Sequence, residues 1–290
     1  MEHFCIITNS DKMENHAMVQ HIVTFLQQRG LGCVVMENTL YQAGGICHFT
    51  NVDRLPPEVD CAIVLGGDGT IIQAAIDLVH RDLPILGVNT GTLGFLTEVE
   101  QNRIDESLER LIAGEYLVES RMMLKENRMF RQPDSLSSCY ALNDMVVSKR
   151  GNCRLITVKV YVNDDLADIY RADGLIIATP TGSTGYNLSA GGPLLAPNIC
   201  AMVVTPICAH SLNKRSLVLD GRDRITLEIG QTKELCPDEA VFIADGRVVG
   251  NLKTGDILEI QVPHGDTKLI KLSGMGFYEK MRNKLRNSME

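Results

Sequence analysis

Three glycines, one carboxylate and one hydroxyl sit between two apolar runs in the stretch IVLGGDGTII, residues 63–72. The runs read as a buried strand handing over to a buried helix. The glycines then fall at the carboxyl end of a sheet, where open α/β folds hold ligands. Glycine there permits positive φ and lets a ligand approach the backbone without meeting a Cβ. The amides of Gly66, Gly67 and Gly69, with Thr70 at the opening of the helix, form a concave donor set suited to a phosphate. A carboxylate among such donors is repelled by the anion beside it. It has a task if a nearby hydroxyl must lose its proton in order to attack phosphorus, and Asp68 is then the proton acceptor. The bland alternative is a tight turn in which Asp68 caps the helix. The turn lacks the Lys-Ser/Thr of a Walker motif and the G-x-G-x-x-G spacing of a dinucleotide fingerprint.

A second constellation follows in DGLIIATPTGSTGYNLSAGGP, residues 173–193, where another apolar run breaks into a loop dense in Gly, Thr and Ser. Thr179, Thr181, Ser183, Thr184, Tyr186, Asn187 and Ser189 offer many neutral donors and acceptors, as a polyhydroxylated, phosphate-bearing ligand requires; a long β-domain loop is the alternative. Asn143-Asp144 could bracket the two hydroxyls of a ribose, although a turn is equally common for this pair. Asp173 could accept from an exocyclic amine, or be a surface residue.

The elements that must position these groups change character along the chain. Residues 4–8, 33–36, 61–65 and 84–89 read as short buried strands. Between them, Val19, Ile22, Val23 and Leu26 recur at helical spacing before Gly30, and Ile104, Leu108, Leu111 and Ile112 do so before Gly114. This alternation predicts a parallel sheet covered by helices. From about residue 120 the period becomes two: Val158, Val160 and Val162, then Ile225, Leu227 and Ile229, then Leu258, Ile260 and Val262. Asn163-Asp164 and Asp245-Gly246 supply hairpin turns. The expected fold class is therefore α/β + β: a Rossmann-like nucleotide domain over residues 1–119 and a mostly antiparallel β-rich domain over 120–272. Residues 273–290, too charged for a core strand, are expected to return as a docked segment completing the first domain.

At 290 residues, 44% hydrophobic and 22% charged, the composition is that of a soluble globular protein, and two domains are the better expectation. A net charge of −8 argues against a nucleic-acid surface, which needs clustered cations, but not against a nucleotide. No apolar run is long enough to span a bilayer, and the opening MEHFCIITNSDK has no signal-peptide pattern. Nine scattered cysteines without a Cys-x-x-Cys pair read as reduced, small and buried, hence cytoplasmic. Adjacent Cys47 and His48 do not make a metal site.

With GGDGT (66–70), GVNTGTLGFLTEV (87–99), LNDMVV (142–147), residues 173–193 and TPICAHSLNKRSLV (205–218) in order along one chain, the sequence resembles the NAD kinase family. GGDGT alone is shared with phosphofructokinases and diacylglycerol-type lipid kinases; ATPTGSTGYNLSAGGP is far more specific. The resemblance implies ATP-dependent phosphorylation of the 2′-hydroxyl on the adenosine ribose of NAD, giving NADP. ATP arrives with a divalent cation, Mg2+, and no side chain is assigned as a metal ligand. It implies Asp68 as proton acceptor with Gly69 beside it, and Asn143 and Asp144 as the pair holding the adenosine ribose. Asp173, Thr184, Tyr186 and Ser189 fall around the adenine and nicotinamide ends, with Gly185, Asn187 and Leu188 in the same NAD-binding stretch. Arg154 and Arg171 match basic or polar positions lining the groove, one near a subunit boundary. The family assembles as dimers or tetramers, holding substrate between domains and across an interface. Three residues depart from its pattern: Asp144 where Glu is commoner, Gly185 for a usual Ala, and Arg247 where Gln or another polar side chain is frequent. Two rival readings are a catalytically silent NAD(H)/NADP(H)-binding regulator and a lipid or sugar kinase.

Overall fold

The apolar runs of the N-terminal part pair side by side as parallel strands. A computed structural model describes residues 1–8, 13–36, 41–43, 46–48, 50–91, 94–129, 139–151, 154–211, 213–232 and 237–287. The chain divides into two compact units. The first comprises Met1–Ala43, Cys47–Arg121 and Gly265–Glu290, the second Gly44–Ile46 and Met122–His264.

In the first unit the strands run in the order Gly32–Met36, His3–Thr8, Cys61–Gly66, Pro84–Asn89, Thr267–Lys271 and Leu117–Arg121. The first five are parallel and the last antiparallel. Strand Cys61–Gly66 is buried along its whole length, which is why it is apolar without alternation. Helices Met13–Gln27 and Ile104–Ala113 contribute Ile22, Leu26, Ile104, Leu108 and Leu111 to one core with Phe4, Ile6, Ile63 and Leu65. Gly114, at φ 77°, ends the second of these helices in the left-handed conformation that glycine adopts without strain. The expected boundary shifts here. Residues 265–272, assigned above to the β-rich domain, belong to the first unit, because Leu269, Ile270 and Leu272 are buried where their strand joins the parallel sheet. The charged tail returns as helix Phe277–Asn287, in the same unit.

The second unit holds two six-stranded antiparallel sheets. One runs Cys139–Ala141, Leu124–Met129, Ile257–Gln261, Ile225–Ile229, Ile156–Val162, Asp165–Ala172; the other Leu217–Asp220, Ala201–Ile207, Gly174–Ala178, Asp144–Lys149, Glu239–Ala244, Arg247–Lys253. Val158, Val160, Leu227 and Ile260 from the first face Met145, Val147, Leu175 and Phe242 from the second in a common core. The second sheet is buried on its other face as well, where Val146, Ile176, Ala178 and Val203 meet Ala190 and Leu195. That double burial explains its continuous apolar runs. Both expected hairpin turns form, with positive φ at Asn163, Asp164, Asp245 and Gly246.

Candidate active site

The glycine-rich turn lies where the connections of the parallel sheet diverge. From His3–Thr8 the chain passes to Gly32–Met36 on one side; from the adjacent Cys61–Gly66 it passes to Pro84–Asn89 on the other. Such a switch point opens a crevice at the carboxyl ends of the two strands. Thr8, paired with Leu65, ends its strand there, and its buried hydroxyl has no hydrogen-bond partner among the described residues. Helix Asp68–Asp77 starts from Gly67 as an extended N-cap. None of Gly66, Gly67 and Gly69 has positive φ, so the turn uses glycine for its lack of a side chain and not for backbone freedom. Thr70 lies over Gly66 and would collide with a Cβ there, whereas nothing lies within 4 Å of a Cβ built on Gly67 or Gly69. The last two leave open backbone at a helix N-terminus, as a phosphate needs.

Asp68 does not cap its own helix. Its Oδ2 accepts from the Phe95 amide at 2.7 Å, and its Oδ1 from those of Leu96 at 3.0 Å and Thr97 at 3.4 Å. A carboxylate offers about four lone-pair positions, so one on Oδ2 is left over. Gly94 is required here, since any side chain would collide with the Asp68 carboxylate. The loop that supplies these amides is itself fastened. Glu98, with its side chain sealed from solvent, accepts from the Leu272 amide at 3.0 Å, from the Ser273 amide and hydroxyl, and from Lys271 and Lys280 at 3.1 and 3.0 Å. Burial alone would raise its carboxyl. Lys271, the Ser273 hydroxyl and Lys280 outweigh that and hold it below the usual glutamate range. Lys284, one turn beyond Lys280 on the C-terminal helix, brings its ammonium to 3.8 Å from Asp68 Oδ2 and 4.3 Å from the centre of the Phe95 ring.

The second unit gathers another group. Asp245 turns its carboxylate into the 142–144 backbone, accepting from Leu142 at 2.6 Å, Asn143 at 2.9 Å and Asp144 at 3.0 Å. Asp144 is 7% exposed and nothing among the described residues donates to its carboxyl. Burial, with the Asp245 charge added, pushes that carboxyl up to about 7. The polar loop packs backbone against backbone on the same turn: the Thr179 amide reaches the Asn143 carbonyl at 2.8 Å, and Gly182 admits no Cβ because the Asn143 carbonyl lies against it. Thr179, Thr181, Ser183 and Asn187 are buried, while Gly185, Tyr186 and Ser189 are exposed and Thr184 and Leu188 half-buried.

The predicted residues therefore do different work. Asn187 is wholly buried with both amide ends used, its nitrogen on the Ser183 and Pro193 carbonyls and its oxygen on Thr205, so it braces the loop from within. Gly185 has negative φ, and the nearest atom to a Cβ built there is the Gly182 carbonyl at 3.4 Å, so alanine would fit. Asp173 begins the strand that Thr179 follows; it forms an ion pair with Lys149 at 2.6 Å, at the opposite end from Asp144, which is in register with Ala178. Arg171 and Arg154 are exposed. Among the described residues no group of three His, Cys, Asp or Glu could hold a metal ion. Thr92 and Leu93 of the 87–99 motif, Leu212 of the 205–218 motif, and the side chains of Cys47 and His48 lie outside the described residues. Sequence reasoning missed Thr8, Gly94, the amides of 95–97, Lys280 and Lys284. They lie far from Asp68 in sequence and carry no pattern of their own, although the 87–99 motif had marked the loop.

An open glycine turn at a parallel-sheet switch point, with a carboxylate fixed at its mouth, fits a phosphotransferase of the nucleotide-dependent kind. Residues 4–116 match the ATP-NAD kinase N-terminal domain and residues 142–272 the ATP-NAD kinase C-terminal domain. The chain is 42% identical over 286 residues to the NAD kinase of Lachnoclostridium phytofermentans, covering 98% of this chain and 99% of that protein. It is 38% identical over 297 residues to the NAD kinase of Lachnospira eligens, covering 98% and 100%. The fold is shared with the crystal structure of yeast NADH kinase complexed with NADH (TM-score 0.82, 22% identity, 99% of this chain and 88% of that one). It is also shared with an NAD kinase from Archaeoglobus fulgidus in complex with ATP (TM-score 0.74, 22% identity, 98% of each). The chain belongs to the ATP-NAD kinase family.

Proposed function

We propose that this protein transfers the γ-phosphoryl group of Mg-ATP to the 2′-hydroxyl on the adenosine ribose of NAD+, giving NADP+, with Asp68 as the proton acceptor. The observation that carries the reading is the Asp68 carboxylate, pinned by three backbone amides at the mouth of an open glycine turn with one lone pair unused. The 2′-oxygen lies about 3 Å from Oδ2 when it attacks phosphorus. As that bond forms and the bond to ADP breaks, the proton passes to Asp68. The amides of Gly66, Gly67 and Gly69 take the phosphates. The acceleration comes from orientation and charge neutralisation, since phosphoryl transfer leaves the protein little covalent work.

Asn143 and Asp144 take the ribose hydroxyls. A buried carboxyl with no donor of its own is costly, and a sugar hydroxyl satisfies it. Thr184, Gly185, Tyr186, Leu188 and Ser189 form the accessible side of the polar loop, against the base. The divalent cation comes with ATP, held by phosphate oxygens and water as Mg2+ prefers. Two or four copies associate; Asp173, at the far end of its strand from the partner of Asp144, reaches the substrate of a neighbour, and Arg154 and Arg171 line the same groove, one of them near a subunit boundary. Six described cysteines, Cys5, Cys33, Cys61, Cys139, Cys200 and Cys208, are free thiols, which suits the cytoplasm. Only Cys5, Cys61 and Cys139 are buried, so the set is less uniformly interior than expected.

The test is incubation of the purified protein with NAD+ and Mg-ATP and assay of NADP+. Product formation supports the reading. Binding of NAD+ without turnover would instead make the chain a silent cofactor-binding regulator. NADH and inorganic polyphosphate in parallel reactions define acceptor and donor.

A further inference from the structure

The glycine-rich turn has an acid and no base. Nothing in residues 63–72 is cationic, yet the group transferred across it is a phosphoryl carrying charge on three oxygens. P-loop enzymes meet that demand with a lysine on the turn itself. Here the cation comes from the other end of the chain. On helix Phe277–Asn287, Lys280 and Lys284 are one turn apart and face the same loop. Lys280 is 8% exposed at its side chain and committed: it donates to the Thr97 carbonyl at 3.2 Å and to Glu98 at 3.0 Å, fixing the helix to the loop that orients Asp68. Lys284 is not committed. Its ammonium stands 3.8 Å from Asp68 Oδ2, beyond hydrogen-bond distance, and 4.3 Å from the Phe95 ring centre, a cation–π contact that uses charge but no N–H. Among the described residues it makes no hydrogen bond, and its side chain is 32% exposed.

We infer that Lys284 is a catalytic residue: it supplies the positive charge for the transferred phosphoryl group that the glycine-rich turn lacks. The inference rests on the assignment of Asp68 as proton acceptor. A hydroxyl being deprotonated by Asp68 lies about 3 Å from Oδ2. A phosphorus bonding to that oxygen therefore brings its own oxygens within reach of an ammonium already beside the same carboxylate. Before the substrate arrives, Asp68 and Phe95 hold the ammonium in place without using its donors; during transfer those donors turn to the phosphoryl oxygens. No covalent step is added, and Lys284 keeps its proton throughout.

The test compares Lys284→Met, Lys284→Arg and Asp68→Asn in steady-state kinetics with NAD+ and Mg-ATP, each with a thermal melt. For Lys284→Met the expected result is a fall in kcat of roughly 10²-fold, the effect of losing one preorganised charge donor, with KM for NAD+ unchanged. Lys284→Arg, which keeps the charge, recovers most of kcat. Melting temperatures of both stay within about 2 °C of the parent. The inference is overturned if Lys284→Met keeps half or more of the turnover, if Lys284→Arg loses as much as Lys284→Met, or if lost activity comes with a lowered melting temperature. Asp68→Asn separates the two ideas. Collapse of that variant beside an active Lys284→Met removes the lysine's role alone; an active Asp68→Asn removes the assignment beneath it.

Discussion

Two aspartates carry the reading, and their surroundings are opposite. Asp68 is saturated on one oxygen and half-used on the other by backbone amides, donors that neither titrate nor swing away. Its position is therefore fixed before any substrate binds. Asp144 is buried with no donor among the described residues and faces the charge of Asp245, which holds all three amides of the turn for itself. Its carboxyl, pushed up to about 7 by burial and then by Asp245, takes up a proton near neutrality when the site is empty. The sign of the linkage follows. The folded value lies above the ordinary 3.8, so Asp144 contributes stability fully below that value and loses it as pH rises through about 7. Between about pH 4 and pH 7 the melting temperature of the parent should therefore fall relative to that of Asp144→Asn. A sugar hydroxyl binds the carboxylate more strongly than the neutral acid, so KM for NAD+ should rise several-fold as pH drops below about 7 and stay flat in Asp144→Asn. Parallel pH profiles for parent and variant would show that this carboxyl does not titrate in that range.

At the level of elements, glycine serves two separate purposes around Asp68, and substitution tells them apart. A methyl group on Gly94 would meet the Asp68 carboxylate, whereas one on Gly67 would enter open space at a helix N-cap whose φ of −96° any residue tolerates. Gly94→Ala should cost about 1–3 kcal/mol in denaturant unfolding and most of the turnover, because it displaces the carboxylate from its amides. Gly67→Ala should unfold like the parent while raising KM for ATP, since the added group stands where phosphate approaches the backbone. If Gly67→Ala left KM for ATP unchanged, the open turn would not be the phosphate cradle. These two glycines also mark what could be read from sequence. Gly67 lies in a local signal, strand–glycines–helix, and the alternation at Val158, Val160 and Val162 is equally local; both were legible because neighbours in sequence settle them. Partners 27–29 residues away, such as the Phe95, Leu96 and Thr97 amides, were not, and Lys284 lay in a segment marked only by its charge. The bracing contacts of Asn187 and Asp245 were illegible for a related reason. A polar side chain in a loop looks like a ligand contact or a turn former until it is seen to satisfy buried backbone and side-chain groups.

For the whole molecule, Asp173 poses the sharpest question. In one chain it is five positions along a strand from Ala178, the partner of Asp144 in the antiparallel ladder, and this places it roughly 17 Å from the 142–144 turn at 3.3 Å per residue. Its carboxylate is paired with Lys149 and its side chain is about one-third exposed, so it is available to a molecule approaching that end of the strands. If copies associate so that Asp173 of one completes the substrate site of another, two inactive variants can restore each other. Asp68→Asn and Asp173→Ala, each purified inactive, would be mixed under mild dissociating conditions, returned to native buffer and assayed for NADP+. Random pairing makes half of the dimers mixed, and each mixed dimer holds one site with both aspartates intact. Activity should therefore recover to about a quarter of the parent's. If Asp173 served its own chain, every site would lack one aspartate and the mixture would stay as inactive as its parts. Recovery would tie turnover to assembly, and the specific activity of the parent should then fall on dilution, at concentrations where the copies separate.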